Sequence, residues 1–238
     1  MPNKPFKFKE FTVLQDKCAM KVGTDGVLLG AWVKIPEEAS SILDIGTGTG
    51  LIALQLAQRS GAEIIDALEI EGDAFEQAVE NFENSLWSDR LYSYHASVQE
   101  FQHEIDDKYD LIVSNPPYFK GSLTGSKTSR SMARQNVLLN FDELLQATDT
   151  LLSQMGSCAF VIPFSDEENF ISTAASHGLF PDYITRVRGH ELSPFKRSLL
   201  QLSRKASDTR TDMLTIEIER HVYTDDYRAL VRDFYLKL

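Results

Sequence analysis

Ser41-Ile42-Leu43-Asp44-Ile45-Gly46-Thr47-Gly48-Thr49-Gly50-Leu51-Ile52-Ala53-Leu54-Gln55-Leu56-Ala57 passes from a short apolar stretch, through alternate glycines, into a segment of helical length and composition. Strand, glycine turn and helix in that order form a nucleotide-site signature, because glycines let the backbone approach a ligand and let helix pack closely on strand. The spacing narrows the ligand. In the dinucleotide fingerprint G-x-G-x-x-G the last glycine stands three places after the second, whereas Gly50 stands two after Gly48, which disfavours a pyrophosphate. The next apolar run, Glu63-Ile64-Ile65-Asp66-Ala67-Leu68, closes on Glu69, roughly 20 residues past the turn, where an acidic side chain can take a ribose diol. Without the glycine run, Glu69 would read as a solvated strand end.

Periodicity supplies the frame around that unit. Apolar residues at helical spacing predict helices over 72–85, with Ala74, Phe75, Ala78, Val79 and Phe82 inward, and over 140–153. Short apolar runs predict strands over 91–96, 109–114 and 157–163. Ser165-Asp166-Glu167-Glu168 has the capping-box form, and Gly178 is placed to stop the helix it starts. Strands are then expected over 180–187, 198–204 and 213–219, and a helix over 225–236. Alternation first and strands late describe an α/β fold whose sheet is mostly parallel with an antiparallel edge. No repeat or proline-rich linker divides the chain, so 1–238 reads as a single domain.

The run Tyr109-Asp110-Leu111-Ile112-Val113-Ser114 ends in Asn115-Pro116-Pro117-Tyr118. Consecutive prolines remove backbone donors and keep the preceding asparagine out of the helical region, so the corner is extended and stiff. An amide, a proline carbonyl and an aromatic ring then stand at one edge: acceptors for a planar NH2 group and a face on which its ring can stack. Pro-Pro is also an ordinary strand stop, and alone the tetrad supports both readings. The glycine run favours the first.

Length and composition bound the class. A chain of 238 residues, 42% hydrophobic and a quarter charged, is long enough to bury a core without disulfide or metal. The cysteines, Cys18 and Cys158, form no C-x-x-C pair and no His/Cys cluster, which argues for buried free thiols, a reducing compartment and no metal. The apolar window around Val27–Val33 is too short to span a bilayer, and the lysine-containing start lacks a secretory hydrophobic region. A soluble, unexported, cytoplasmic protein is expected.

A net charge of −11 argues against a generic nucleic-acid binder. The distribution says more. Residues 111–141 carry no acid but hold Lys120, Lys127, Arg130 and Arg134; residues 192–207 are also acid-free and hold Lys196, Arg197, Arg204 and Lys205. Acids gather in stretches that read as surface, such as 73–83, 100–110 and 166–168. Such segregation can make a positive rim that steers a polyanion toward the tetrad. A basic loop can also be simply solvated. His95, His103, His177, His190 and His221 show neither metal nor triad spacing.

The glycine turn, Glu69 and the Asn-Pro-Pro-Tyr tetrad together resemble a class I methyltransferase that uses S-adenosylmethionine to modify an amino nitrogen. The stretch from Phe6 to Trp32, with Cys18-Ala19-Met20-Lys21-Val22-Gly23-Thr24-Asp25-Gly26 at its centre, is similar to the opening of bacterial tRNA1(Val) adenine-N6 methyltransferases. The resemblance covers the whole chain. It implies a doubly wound, seven-stranded, Rossmann-like sheet and methylation of the adenosine just 3′ of the anticodon. By the same resemblance Asp44, Gly46, Gly48 and Gly50 line the amino-acid end of the cofactor, Glu69 takes its ribose, and Lys21, Thr24 and Asp25 lie over the methionine part. Residues 1–34 would then cover the cofactor and 35–238 form the catalytic core. Many such enzymes set an acid against the cofactor's adenine amino group after the third strand. Here that place falls to Ser97, which can hydrogen-bond but carries no charge.

The implied chemistry assigns Asn115, Pro116, Pro117 and Tyr118 to catalysis and Lys120, Lys127, Arg130, Arg134, Lys196 and Arg197 to substrate tRNA. An adenine amine is a poor nucleophile until acceptors hold its hydrogens, so positioning and electrostatics carry the reaction. The base must be splayed out, which is cheapest in an unpaired loop. The same tetrad can serve a glutamine amide of a release factor or an exocyclic amine of rRNA or DNA. The short segment before Asp44 leaves little room for the helical substrate domain a protein-glutamine enzyme would bring. A nicotinamide dehydrogenase is disfavoured by the glycine spacing. A binding module that lost activity would need no intact tetrad.

Overall fold

The structure, a computed structural model, describes residues 4–117 and 140–237. A two-stranded antiparallel hairpin, β1 (Phe6–Lys7) and β2 (Thr12–Val13), precedes helix α1 (Thr24–Trp32). Alternation then follows: β3 (Ser41–Ile45), α2 (Leu51–Arg59), β4 (Ile64–Glu69), α3 (Gly72–Glu83), β5 (Leu91–His95), α4 (Val98–Glu104) and β6 (Tyr109–Ser114). After 140 come α5 (Phe141–Leu151), β7 (Leu152–Pro163), α6 (Glu167–Ser176), β8 (Phe180–His190), β9 (Arg197–Ser203), β10 (Arg210–Glu219), β11 (Val222–Tyr223) and α7 (Asp225–Val231).

Among the described residues the main sheet has nine strands in the order β11-β10-β8-β9-β7-β6-β3-β4-β5. The strands from β5 to β7 pair in parallel, β9 runs antiparallel between β7 and β8, and β10 with β11 forms an antiparallel edge pair. The seven strands that the resemblance implies are present; β10 answers the apolar run over 213–219, and the two-residue β11 is an addition.

The apolar runs of the central strands are buried on both faces, as parallel strands sandwiched by helices must be. Ile42, Leu111, Val113, Ala159 and Val161 face one core with α1, α2, α3 and α7; Leu43, Ile45, Ile112, Phe160 and Ile162 face the other with α4, α5 and α6. Strand order reverses between β3 and β6, which leave the centre on opposite sides, and in such sheets the ligand crevice opens at the carboxyl ends of these strands.

Three details differ from the sequence expectation. Ser165 caps nothing: a 3-10 turn, Phe164–Asp166, leads into α6 without a side-chain cap. Glu167, expected on the surface, is 4% exposed because Arg186 and Ser198 hold its carboxylate. The last helix ends at Val231 instead of 236, because Tyr235 bridges Phe8 and ties the two ends of the chain together. Both cysteines are buried free thiols. Among the described residues no helix is long and apolar enough to cross a membrane.

Candidate active site

The turn after β3 takes its shape from alternate left-handed glycines, Gly46 (φ 73°), Gly48 (φ 58°) and Gly50 (φ 80°). The first two face open space, whereas a Cβ at Gly50 would lie 2.5 Å from Phe82 Cε1. Gly46 and Gly48 therefore leave room beside the chain, and Gly50 lets α2 pack on α3. Asp44 fastens the turn from behind. Its Oδ2 accepts from Thr47 Oγ1 at 2.6 Å and Ala53 N–H at 3.2 Å, while Oδ1 is buried without a partner among the described residues. Burial pushes its carboxyl up to about 7, against the pull of the Thr47 and Ala53 hydrogen bonds.

Glu69 locks the other side of the turn. Oε2 accepts from Gly48 N–H at 2.8 Å, and Oε1 accepts from the N–H groups of Ile70 and Glu71, each at 2.9 Å. A carboxylate held by backbone donors on both oxygens is fixed in place and keeps lone pairs for hydroxyls.

Between these elements lies a cavity in two lobes of about 350 and 360 Å³, each the size of a small-molecule site, roughly 300–1,000 Å³. One lobe is walled by Lys21, Thr24, Asp25, Thr47 and Thr49. The other is walled by Glu69, Leu68, Ala74, Ser97, Pro116 and Pro117. Met20, Gly46, Gly48 and Asn115 belong to both. Asn115 thus stands at the seam, held at the exit of β6 by the buried Ser114, whose Oγ donates to the Ile45 carbonyl at 2.8 Å.

Asp44 and Gly50 lie outside both walls, so their part in the cavity is to hold its floor. Ser97 lines the second lobe, and its hydroxyl is already engaged as the cap of α4, in a reciprocal box with Glu100. Asp25 pairs with Arg197, Nε to Oδ2 at 2.7 Å, so a residue expected to serve cofactor and one expected to serve RNA meet. Lys196 is exposed beside it. Arg204 is committed to Asp149 and to the carbonyls of Asp149 and Leu152, a structural staple. Tyr118, Lys120, Lys127, Arg130 and Arg134 lie outside the described residues. Among the described residues no group of His, Cys, Asp or Glu could hold a metal.

The sequence reading missed the clamp that holds the N-terminal segment over the cavity. Asn81 on α3 exchanges hydrogen bonds with the backbone of Leu14 (2.8 and 2.9 Å) and donates to the Thr49 carbonyl at 2.8 Å. Gln77, one turn earlier, accepts from Lys17 N–H at 2.9 Å. Both amides are buried. Their signal was legible: polar residues four apart on the same stripe as Ala74 and Ala78 must find partners.

Comparison with known proteins agrees with this geometry. The model of the methyltransferase small domain family matches residues 23–161, more than half the chain. A protein from Christiangramia forsetii is 55% identical, and one from Parabacteroides distasonis 47%, each aligned over all of both chains, and both are named tRNA1(Val) (adenine(37)-N6)-methyltransferase. A namesake from Trichodesmium erythraeum is 46% identical with the same coverage. In fold the chain is similar to a predicted O-methyltransferase from Agrobacterium tumefaciens (TM-score 0.68, 20% identity, 88% of this chain and 96% of that one). It is also similar to TYW2 from M. jannaschii, solved with AdoMet (TM-score 0.55, 13% identity, 86% and 87%). The glycine turn, the proline corner and the full-length kinship converge, and this chain belongs to the tRNA1(Val) (adenine(37)-N6)-methyltransferase family.

Proposed function

We propose that the protein transfers a methyl group from S-adenosylmethionine to the N6 amino group of an adenosine in a tRNA anticodon loop, the position named for its relatives. The observation that carries this reading is Asn115 at the seam of two lobes, one offering Lys21, Thr24 and Asp25 and one largely apolar with a carboxylate in its wall.

The residues fit the cofactor. Gly46 and Gly48 leave open the space a Cβ would enter, Glu69 offers lone pairs to a diol, and Leu68, Ala74 and Val98 give an adenine an apolar slot. Lys21, Thr24 and Asp25 offer polar partners for a zwitterionic amino acid in the first lobe. When bound, S-adenosylmethionine supplies an electrophilic methyl group on a sulfonium.

This chain's own part is to orient the amine. Asn115 Oδ1 and the Pro116 carbonyl accept the N6 hydrogens and turn the nitrogen lone pair toward the seam, and Tyr118 stacks on the base. The rigid Pro116-Pro117 corner means that little reorganisation is needed, which is where electrostatic catalysis gains most. The proton made acidic by alkylation leaves to water. Residues 1–34 act as the cover of the cofactor within a single unit, and the protein works in the cytoplasm on tRNA.

The test is nucleoside mass spectrometry of total tRNA incubated with purified protein and labelled methyl donor. Label in N6-methyladenosine supports the proposal; label on protein glutamine, or on neither, overturns it. Asn115→Ala should cut single-turnover rate by about 100-fold or more while cofactor affinity holds, and a wild-type rate would remove Asn115 from its role.

A further inference from the structure

The carboxyl edge of the sheet continues past the cavity onto a ledge built from aromatic rings and arginines. Phe164 follows β7, and Phe195 precedes β9 in the connection from β8. The segments are fastened by Phe164 N–H donating to the Lys196 carbonyl at 3.1 Å, and the rings meet at 5.5 Å between centroids with an interplanar angle of 56°. Arg186 lies over Phe164 at 5.6 Å and Arg188 over Phe195 at 5.7 Å. Both rings are partly exposed.

The arginines differ in charge balance. Arg186 is gripped by Glu167 through Nε and Nη2, so a carboxylate balances its charge. Arg188 donates to Thr215 Oγ1 at 2.9 Å and to the Glu191 carbonyl at 2.5 Å, and among the described residues no carboxylate lies within ion-pair distance of it. These neutral acceptors fix the guanidinium without neutralising it. Lys196 is exposed next to it in sequence, and Arg197 joins the ledge to the cavity wall through Asp25. A fixed ring under an uncompensated guanidinium is the chemistry that holds an unstacked base and its phosphate. A duplex backbone would call for exposed cations alone.

We propose that Phe195, supported by Phe164 and flanked by Arg188 and Lys196, is a stacking subsite for a nucleotide neighbouring the methylated adenosine. It rests on the RNA reading above. A loop whose target base is splayed into the cavity presents its neighbours unstacked, and Phe195 replaces the stacking that the neighbour loses.

The experiment uses the full chain and an anticodon stem-loop carrying the target adenosine, with 2-aminopurine placed in turn on either side of it. Wild-type protein should methylate the stem-loop and quench one of the two probes. Phe195→Ala should raise KM for the stem-loop about tenfold, the scale expected of one lost base–aromatic stack, with kcat within a factor of two, cofactor affinity unchanged and the quench lost. Phe195→Tyr should restore both readouts. Lys196→Ala, which leaves the rings in place, should lower the slope of log affinity against log salt by about 0.7, one phosphate's worth for a single strand. Phe195→Ala and Lys196→Ala with wild-type KM, quench and salt slope would overturn the subsite and leave the methyltransferase reading intact. Wild-type protein that methylates a peptide glutamine and no RNA would overturn both.

Discussion

Replacing Gly50 with alanine isolates the physical reason for the last glycine of the turn. Residue 50 sits at φ 80°, ψ 11°, a left-handed conformation that costs an L residue roughly 1–2 kcal/mol. A Cβ there would approach Phe82 Cε1, Cζ and Cδ1 to 2.5, 3.0 and 3.3 Å. Phe82 is 3% exposed within the core, so the ring has no solvent to swing into, and overpacking of this kind costs about 1–3 kcal/mol. The expected loss is therefore about 2–5 kcal/mol, a large share of the roughly 5–15 kcal/mol that holds a native protein together. Urea denaturation should show a lower midpoint with an unchanged slope. Phe82→Leu in the same chain removes the steric part and leaves the backbone part, so the double variant should be more stable than the single effects sum to, by about 1–3 kcal/mol. Gly50 N–H also donates to the Thr47 carbonyl at 3.0 Å, so a displaced residue 50 moves the cavity floor, and cofactor affinity should fall with stability. A Gly50→Ala protein within about 0.5 kcal/mol of wild type, or strict additivity in the cycle, would show that neither the left-handed backbone nor Phe82 demands glycine at residue 50.

Glu69→Gln sets an amide NH2 against backbone N–H donors, and cofactor affinity measured by calorimetry should drop at least about tenfold, the scale of one charge-assisted hydrogen bond; an unchanged affinity would contradict the role given to its carboxylate. Asp44 is neutral in the folded protein up to about 7, whereas its unfolded carboxyl ionises from about 3.8. Its contribution to stability is therefore full below the unfolded value and is lost as pH rises through that window, at most roughly 4 kcal/mol in all. Asp44→Asn should flatten that decline when urea midpoints are compared from pH 4 to 8, and parallel profiles would count against the buried carboxyl. Asn81→Ala strands the Leu14 and Thr49 backbone groups and should destabilise by about 2–3 kcal/mol, with faster proteolytic cleavage near residues 14–22; wild-type cleavage would dissociate Asn81 from the cover.

The late strands show where sequence pattern stops being informative. Apolar runs announced β8, β9 and β10, yet the place of β9 between β7 and β8 depends on pairings such as Phe160 with Leu200 and Ile184 with Leu200, which join residues far apart in the chain. Ser165-x-x-Glu168 had the form of a cap, but Glu167 between them is held by Arg186 and Ser198 from β8 and β9, and a 3-10 turn takes the place of the capped first turn. Arg197 looked like a free cation in an acid-free stretch and is instead the partner of Asp25.

Strand, glycine turn and helix, the acid that closes the next strand and the stiff proline corner are all legible along the chain. These are properties of adjacent residues: left-handed φ at glycine, fixed φ at proline, apolar period along a strand. Long-range packing, by contrast, sets Asn115 at the seam of two lobes, joins Asn81 and Gln77 to the backbone of Leu14 and Lys17, and leaves Arg188 its charge beside Phe195. Those facts come from contacts between distant segments, whose energies depend on which partners the fold brings within a few ångströms.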